Sequence, residues 1–192
     1  MKLNNLRVIL ASKSPRRKEL LGDIVENFEI ITCEVDETLS PDIHPSVGVG
    51  LLAVRKGAAV AEMLDPDCLV ISSDTLVELD GIPLGKPDGV DGAHKMLRTL
   101  SGKTHSVHTG VAVHYRGNVV SGVATSRVTF RELSDEDIAW YISTGEPMDK
   151  AGAYGIQGLG GKFVLGYDGD FDTIVGLSRT LTRTLIEEAL KQ

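Results

Sequence analysis

The sequence predicts a mixed α/β fold with substantial antiparallel pairing, because segments of strand and helix periodicity alternate along its 192 residues. Residues 6–11 and 68–72 are short apolar runs that are typical of buried strands. Residues 104–115 and 119–131 instead alternate apolar and polar side chains on either side of Arg116-Gly117-Asn118. These two segments are therefore expected to form long antiparallel strands.

The elements before residue 73 follow from local signals. Ser14 followed by Pro15 is typical of a helix N-cap and first helical residue, since proline has no N–H to lose there. Apolar residues recur at helical spacing from Ser46 to Leu64. The predicted order is a strand at 6–11, a helix at 15–22, a strand at 28–31, a polar connection at 32–45, a helix at 46–64 and a strand at 68–72.

Turn and cap signals define the elements after residue 75. Asp80-Gly81 is a strong two-residue hairpin signal, and Gly102 suits the left-handed end of a helix. The acidic residues 135–137 favour the start of a helix after Ser134. The predicted strands are 76–79, 82–84, 104–115, 119–131, 162–167 and 171–175, and the predicted helices are 91–100, one from Ser134, and about 178–190. The sequence contains no clear linker, so we expect a single domain over residues 1–192.

Composition and charge exclude several classes of protein. The net charge of −7 argues against a nucleic-acid binder, whose affinity comes from a basic face. No apolar stretch reaches the roughly 20 residues that a membrane span needs, and residues 14–17 interrupt any signal-peptide core. Cys33 and Cys68 have no close spacing, which favours two reduced thiols over a zinc site or a disulfide framework. These features predict a cytoplasmic protein.

The start of the first predicted helix carries a candidate anion site. Free backbone N–H groups and the positive end of the helix dipole favour an anion beside Ser12 and Ser14. Arg16 and Arg17 lie in the same turn, where cations oppose the dipole and reduce helix stability. An anionic ligand such as phosphate would explain them. The alternative is two solvated arginines on a surface helix.

Two acidic segments are candidates for proton transfer or metal binding. Asp74 and Thr75 follow a predicted buried strand, and polar residues just past strand ends in α/β sheets often face a ligand. Asp74 could bind a divalent cation or accept a proton from water, and Thr75 could donate to a base or a phosphate. Asp36 and Glu37 could hold a hard metal ion through oxygen ligands. The alternatives are a turn between strands and a solvated loop pair.

The remaining candidates are basic or glycine-rich. Lys56 lies on a predicted helix, and Lys86 lies between a glycine and a proline; either could supply a point charge to a phosphate or simply be solvated. Residues 149–161 contain five glycines in thirteen residues, which suits close approach to a ligand or a flexible surface loop. Gln157 within this run could hydrogen-bond to the edge of a nucleotide base.

A shared metal site on His105 and His108 is disfavoured. The two residues are three positions apart on a predicted strand, so their side chains point to opposite faces.

Taken together, these segments resemble the Maf family of nucleoside triphosphate pyrophosphatases. The resemblance covers nearly the whole chain, and the motifs occur in the family's order, which makes the set specific. One departure is Ser178, where the family commonly has proline. The matching stretches are Leu10–Arg17, Val35–Glu37, Lys56, Ser73–Thr75, Gly85–Pro87, Leu100–His105, Asp149–Gly161 and Val175–Leu177.

The resemblance implies a fold and an activity. The fold is an elongated mixed sheet with flanking helices and two lobes around a cleft, similar to inosine triphosphate pyrophosphatases and frequently a homodimer. The activity cleaves a nucleoside triphosphate to the monophosphate and pyrophosphate with Mg²⁺ or Mn²⁺. Residues 149–158 resemble the branch that prefers dTTP and UTP over 7-methyl-GTP. A role in cell-division arrest and in clearing modified pyrimidine nucleotides is also implied.

Family roles transfer to matching positions. Asp74 resembles the proton acceptor that activates water, and Glu37 and Asp74 lie near the metal. The positions associated with substrate choice are Arg16, Thr75 and Gln157. The expected triphosphate contacts are Ser12, Arg17, Lys56 and Lys86.

Two other functions stay open from the sequence. One is a nucleotide-binding regulator of cell division without significant turnover, which would bind nucleotides but release no pyrophosphate. The other is an enzyme of the same class that removes modified nucleotides such as 5-methyl-UTP. Asp74, Glu37, Lys56 and Lys86 favour catalysis, because binding alone does not need a positioned base.

Overall fold

The computed structural model describes residues 1, 3, 6–40 and 42–191, and it confirms the mixed α/β class. The strands in the described residues are β1 (Val8–Leu10), β2 (Glu29–Ile30), β3 (Leu69–Leu79), β4 (Ile82–Leu84), β5 (Thr104–Tyr115), β6 (Asn118–Phe130) and β7 (Val164–Asp168). The α-helices are α1 (Pro15–Gly22), α2 (Pro45–Ala61), α3 (Gly89–Leu100), α4 (Asp135–Ser143), α5 (Phe171–Val175) and α6 (Arg179–Ala189). Short 3-10 helices occur at Glu146–Asp149, Ala151–Ala153 and Leu159–Phe163.

The strands form one mixed sheet in the order β2-β1-β3-β5-β6-β7, with β4 paired to β3. Strand β1 is parallel to β2 and β3, whereas β4 is antiparallel to β3 and β7 is antiparallel to β6. The chain divides into two compact units, each described separately below. The first unit comprises residues 1–74, 109–124 and 176–192, and the second comprises residues 75–108 and 125–175.

The first unit packs helix α2 closely against the sheet. A Cβ atom at Gly57 of α2 would lie 2.5 Å from the Ser72 hydroxyl oxygen of β3. A Cβ atom at Gly110 of β5 would collide with the backbone carbonyl of Val49 in α2. Glycine lowers stability in the interior of a helix or a strand, so both positions reflect the need for close contact rather than intrinsic propensity.

The second unit has an aromatic core. Phe130 contacts Tyr154 edge to face with ring centroids 4.7 Å apart, and it contacts His105 in the same way at 5.0 Å. Such edge-to-face pairs are favourable because the positive ring edge meets the negative ring face. The predicted hairpin at residues 80–81 is confirmed: Asp80 and Gly81 have φ values of 53° and 81°, as a type I′ turn requires.

Two predictions about the strands were wrong. Residues 72–75 do not follow a strand end but lie inside the continuous strand β3, which runs from Leu69 to Leu79. Residues 171–175 form helix α5 rather than a strand, although their side chains favour strands. The Asp170 carboxylate accepts a hydrogen bond from the backbone N–H of Asp172 at 3.1 Å. This contact satisfies an N–H at the helix start and so favours the helix.

Other predictions remain open or apply only to part of the chain. No described helix is both long and apolar enough to cross a membrane. Pro41, within the predicted polar connection, lies outside the described residues. The single domain over residues 1–192 and the implied cleft stay predictions.

His105 gives the second unit a pH-dependent stability. Burial lowers the pKa of this histidine from 6.5 to about 4, and its Nε2 lies 2.8 Å from the Tyr154 hydroxyl. Below pH 6.5 the unfolded chain therefore takes up a proton that the folded chain takes up only near pH 4. We expect the free energy of unfolding to fall by up to about 3 kcal/mol as the pH drops through this window.

Denaturant titrations between pH 4 and 7 measure this loss. In His105→Gln the fall should be smaller, because glutamine does not titrate. His94→Gln, at an exposed position of α3, is the matched control and should keep the wild-type slope. An unchanged slope in His105→Gln would assign the pH dependence to other groups.

Candidate functional site

The centre of the candidate site is a contact between Lys56 and two carboxylates in the first unit. The Lys56 ammonium nitrogen lies 2.5 Å from Asp74 Oδ1 and 3.0 Å from Glu37 Oε1. The Lys56 and Asp74 side chains are only 19% and 12% exposed, so solvent screens their attraction weakly. The structure therefore brings together three of the side chains that the sequence singled out, from a loop, a helix and a strand.

Close packing of α2 sets the position of Lys56. Ser72 on β3 donates a hydrogen bond from its hydroxyl to the Ala53 carbonyl of α2 at 2.7 Å. Gly57 lies at the same contact, where any side chain would displace the helix. Because the helix is held here at such short distance, the neighbouring Lys56 reaches Asp74, two residues further along β3.

Arg55 holds the loop that carries Glu37. Its guanidinium donates to the backbone carbonyls of Asp36 and Thr38, the latter at 3.1 Å. The Asp36 carboxylate accepts the N–H of Thr38 at 2.8 Å, which closes a local turn and holds the pKa of that carboxyl below its ordinary value. The two acidic residues therefore have different contacts: the Asp36 carboxylate bonds within the loop, and the Glu37 carboxylate contacts Lys56.

Arg17 contacts the backbone just before Asp74. Its guanidinium donates to the carbonyl of Ser73 at 2.8 Å, to that of Gly176 at 2.9 Å and to the Ser12 hydroxyl at 3.3 Å. The Ser73 hydroxyl also donates to the Gly176 carbonyl at 2.9 Å. Burial lowers the pKa of Arg17, although the nearby Asp74 charge opposes this shift. These contacts position the Asp74 backbone, and the predicted phosphate contact of Arg17 stays a prediction.

The other predicted residues occupy more accessible positions. Arg16 is half-buried on α1, and no hydrogen bond or ion pair joins it to another described residue. Thr75 is half-buried on β3 in the second unit, where Lys86 and Gln157 are exposed. The N–H of Gly152 donates to the Gly85 carbonyl at 3.0 Å, which links the glycine-rich run to the loop of Lys86. The structure does not test the predicted roles of these residues.

The glycine-rich run is an ordered segment built around Glu146, which the sequence reasoning missed. The Glu146 carboxylate accepts the N–H groups of Leu159 at 2.9 Å and Gly160 at 3.2 Å, and the Tyr141 hydroxyl at 2.8 Å. A Cβ atom at Gly158 would overlap the same carboxylate. Burial opposes ionisation of Glu146, but these donors outweigh it and lower its pKa. An acidic residue placed before a run of regularly spaced glycines is the signal that could have revealed it.

The donor set of the first unit fits a hard divalent cation. Glu37 and Asp74 direct carboxylate oxygens at one point, now taken by the Lys56 ammonium, so both can reach one cation. Mg²⁺ is commonly held by one or two carboxylates together with substrate phosphates and water. Within the part of the chain that the structure describes, no three His, Cys, Asp or Glu side chains are grouped to hold a metal. Further ligands would therefore come from the substrate and water.

Comparison with known proteins agrees with the sequence motifs. Residues 7–189 match the model of the family described as Maf-like protein. The chain is 47% identical over 171 residues to a dTTP/UTP pyrophosphatase of Bacillus cereus strain B4264, covering 89% of both chains. It is 46% identical over 183 residues to a dTTP/UTP pyrophosphatase of Bacillus velezensis, covering 95% of this chain and 96% of the relative.

A similarity to solved structures is weaker. The chain is 19% identical to the structure titled "The structure of the Staphylococcus aureus Ham1 protein", with a TM-score of 0.47 over 67% of this chain and 72% of that chain.

Proposed function

The chain belongs to the Maf-like protein family, and we propose that it is a nucleoside triphosphate pyrophosphatase that hydrolyses dTTP and UTP. Its relatives at 46–47% identity carry that name, and they match nearly the whole chain. The observation that supports the proposal is the contact of the Lys56 ammonium with the Asp74 and Glu37 carboxylates. Their proposed roles are a phosphate contact for Lys56, a base for Asp74 and a metal ligand for Glu37.

Asp74 is the proposed base of the reaction. Oδ1 of Asp74 accepts a hydrogen bond from the Lys56 ammonium, and no hydrogen bond within the described residues involves Oδ2. Oδ2 is therefore the oxygen that can take a proton from water. As water oxygen bonds to the α-phosphorus, its proton passes to Asp74, and the bond from the α-phosphorus to the bridging oxygen breaks. Pyrophosphate leaves with that electron pair.

Basic side chains are the proposed contacts of the triphosphate. The substrate carries roughly four negative charges, and stabilising charge on the transferred group and leaving oxygens is the main source of rate in such reactions. Lys56 is already held beside Asp74, and Lys86 is exposed in the second unit. The proposed phosphate-binding residues are Ser12, Arg17, Lys56 and Lys86.

A divalent cation, Mg²⁺ or Mn²⁺, is the proposed cofactor. When bound, it would polarise phosphate oxygens and lower the pKa of a bound water. Glu37 and Asp74 would hold it, since both carboxylates reach one point. Lys56 would then release these oxygens and turn to the phosphates.

Gln157 is proposed to select the base, with Arg16 and Thr75 also proposed to contribute. Its primary amide can satisfy both O4 and N3–H of uracil or thymine. Cytosine reverses those two groups, and a site with fixed partners penalises the wrong base by leaving polar groups unpaired.

We expect Gln157→Ala to lower the preference for dTTP over CTP about tenfold. Steady-state kcat/KM values for both nucleotides measure this, and an unchanged ratio would remove Gln157 from base selection.

Pyrophosphate release from a nucleotide panel tests the function. The panel is dTTP, UTP, CTP, dATP, GTP and 7-methyl-GTP, each with Mg²⁺, with Mn²⁺ and with EDTA. We expect metal-dependent release mainly from dTTP and UTP. Tight binding of dTTP without release would favour the regulator that the sequence left open. Faster release from 5-methyl-UTP than from UTP would make modified nucleotides the better substrates.

The remaining features are proposed from the family resemblance. These are a single functional domain over residues 1–192, a homodimer, a cytoplasmic location, the absence of a nucleic-acid or membrane partner, and a link to cell-division arrest. The net charge of −7 supports the proposal that the protein does not bind nucleic acid.

A further inference from the structure

The loop that carries Gln157 is held at both ends by one pair of side chains. Glu146 accepts the N–H groups of Leu159 and Gly160, which follow Gln157. Tyr141 donates its hydroxyl to Glu146 and accepts the N–H of Gly155, which precedes Gln157, at 3.1 Å. Residues 155–160 are therefore closed into a loop by a single carboxylate and a single phenol. We call these six residues the glutamine loop.

The glycines of the glutamine loop fit this arrangement. A Cβ atom at Gly160 would lie 2.6 Å from the Tyr141 hydroxyl, and one at Gly158 would overlap the Glu146 carboxylate. A Cβ atom at Gly155 would lie 2.9 Å from Cε of Lys150, whose ammonium donates to the Glu146 carbonyl at 2.7 Å. The close approach that the glycines permit is thus an approach to the Glu146–Tyr141 pair.

Burial anchors Tyr141, three hydrogen bonds hold the half-buried Glu146, and Gln157 stays accessible. Tyr141 is fully buried in the core of the second unit, where its ring meets Phe163 edge to face at 5.0 Å. Gln157 is exposed, and no hydrogen bond ties its amide to another described residue. A side chain that must read a base edge needs a fixed backbone and a free amide, and this loop supplies both.

We propose that Glu146 and Tyr141 are positioning residues for base selection, which act by holding the glutamine loop in the shape that presents Gln157 to the pyrimidine. This inference rests on the proposed function and deepens it. Neither residue need touch the nucleotide, because each acts through the backbone on both sides of Gln157. Charge matters as well as shape: a carboxylate has acceptor capacity for all three of its donors.

Glu146→Gln and Tyr141→Phe test the proposal. An amide has one acceptor oxygen, and its NH₂ would face the backbone N–H of Leu159 or of Gly160, so Glu146→Gln loses at least one of the hydrogen bonds that hold the loop. Tyr141→Phe keeps the ring and removes only the hydroxyl. In both variants we expect the dTTP to CTP ratio of kcat/KM to fall about tenfold, with kcat for dTTP within about threefold of wild type. Glu136→Gln, an exposed acid on α4, is the matched control and should leave the ratio unchanged.

A double-mutant cycle separates positioning from a general loss of structure. If Glu146 acts through Gln157, then Glu146→Gln adds no further loss of selectivity in a Gln157→Ala background. Additive losses would overturn the proposal. So would a variant in which kcat/KM falls equally for both nucleotides, since that is the result of a purely structural role.

Amide hydrogen exchange without nucleotide gives an independent result. Glu146→Gln should speed exchange at Leu159 and Gly160, and Tyr141→Phe should speed it at Gly155. Unchanged exchange at all three would overturn the positioning role. If the wild-type protein releases no pyrophosphate from dTTP or UTP, the proposed function fails and base selection fails with it, whereas faster exchange would still show that the pair holds the loop.

Discussion

Asp74→Asn is expected to lower kcat for dTTP by at least about 100-fold, at the low end of the effect of losing a general base. Asparagine keeps an oxygen that can accept the Lys56 ammonium, so the contact that holds α2 beside β3 survives the change. What disappears is the group that takes the proton from water, together with one negative ligand for the cation. Pyrophosphate release at saturating dTTP and metal measures the loss.

The fold of Asp74→Asn must be intact for this result to be informative. Circular dichroism and thermal melting should match the wild-type protein. Glu19→Gln is the matched control, since it removes one exposed carboxylate of α1 in the same unit. It should retain wild-type kcat. Turnover of Asp74→Asn near the wild-type value would show that another group activates water.

Local signals were sufficient for much of the fold. Ser14 caps α1 by accepting the N–H of Arg17 at 3.4 Å, and the Asp80-Gly81 turn has the backbone that this dipeptide favours. The strand through residues 72–75 could not be predicted in this way. Its polar side chains suggest a turn, but the Ser72 hydroxyl bonds to Ala53 and the Ser73 hydroxyl to Gly176. Partners so distant in sequence leave no local pattern.

In the candidate site, too, some residues could be predicted from the sequence and others could not. Motif order was enough to single out Asp74, Lys56 and Glu37, which the structure brings together. The positioning roles of Arg55 and Glu146 were not predicted, because each side chain acts on backbone atoms. Arg55 holds the Glu37 loop through carbonyl oxygens, and Glu146 holds its loop through N–H groups. Backbone groups are the same at every position, so the sequence does not indicate which carbonyl or N–H a side chain will find.

Lys56→Gln is expected to weaken catalysis and to strengthen metal binding at the same time. Loss of a charged group that stabilises the transferred phosphate should lower kcat/KM about 100-fold. Without nucleotide, the single positive charge of the ammonium also offsets part of the negative charge of Asp74 and Glu37. Its removal leaves two carboxylates facing each other, which should lower the free energy of unfolding by about 2 kcal/mol. A divalent cation can then occupy the point that Lys56 left.

Thermal melting with and without Mn²⁺, in the absence of nucleotide, separates these effects. Mn²⁺ should raise the melting temperature of Lys56→Gln more than that of the wild-type protein, because it no longer competes with the ammonium for the same oxygens. Lys18→Gln, at an exposed position of α1, is the matched control and should respond to Mn²⁺ like wild type. An equal response in Lys56→Gln and wild type would place the cation elsewhere than on Glu37 and Asp74. A larger response would mean that Lys56 and the cation compete for the same carboxylate oxygens of Glu37 and Asp74.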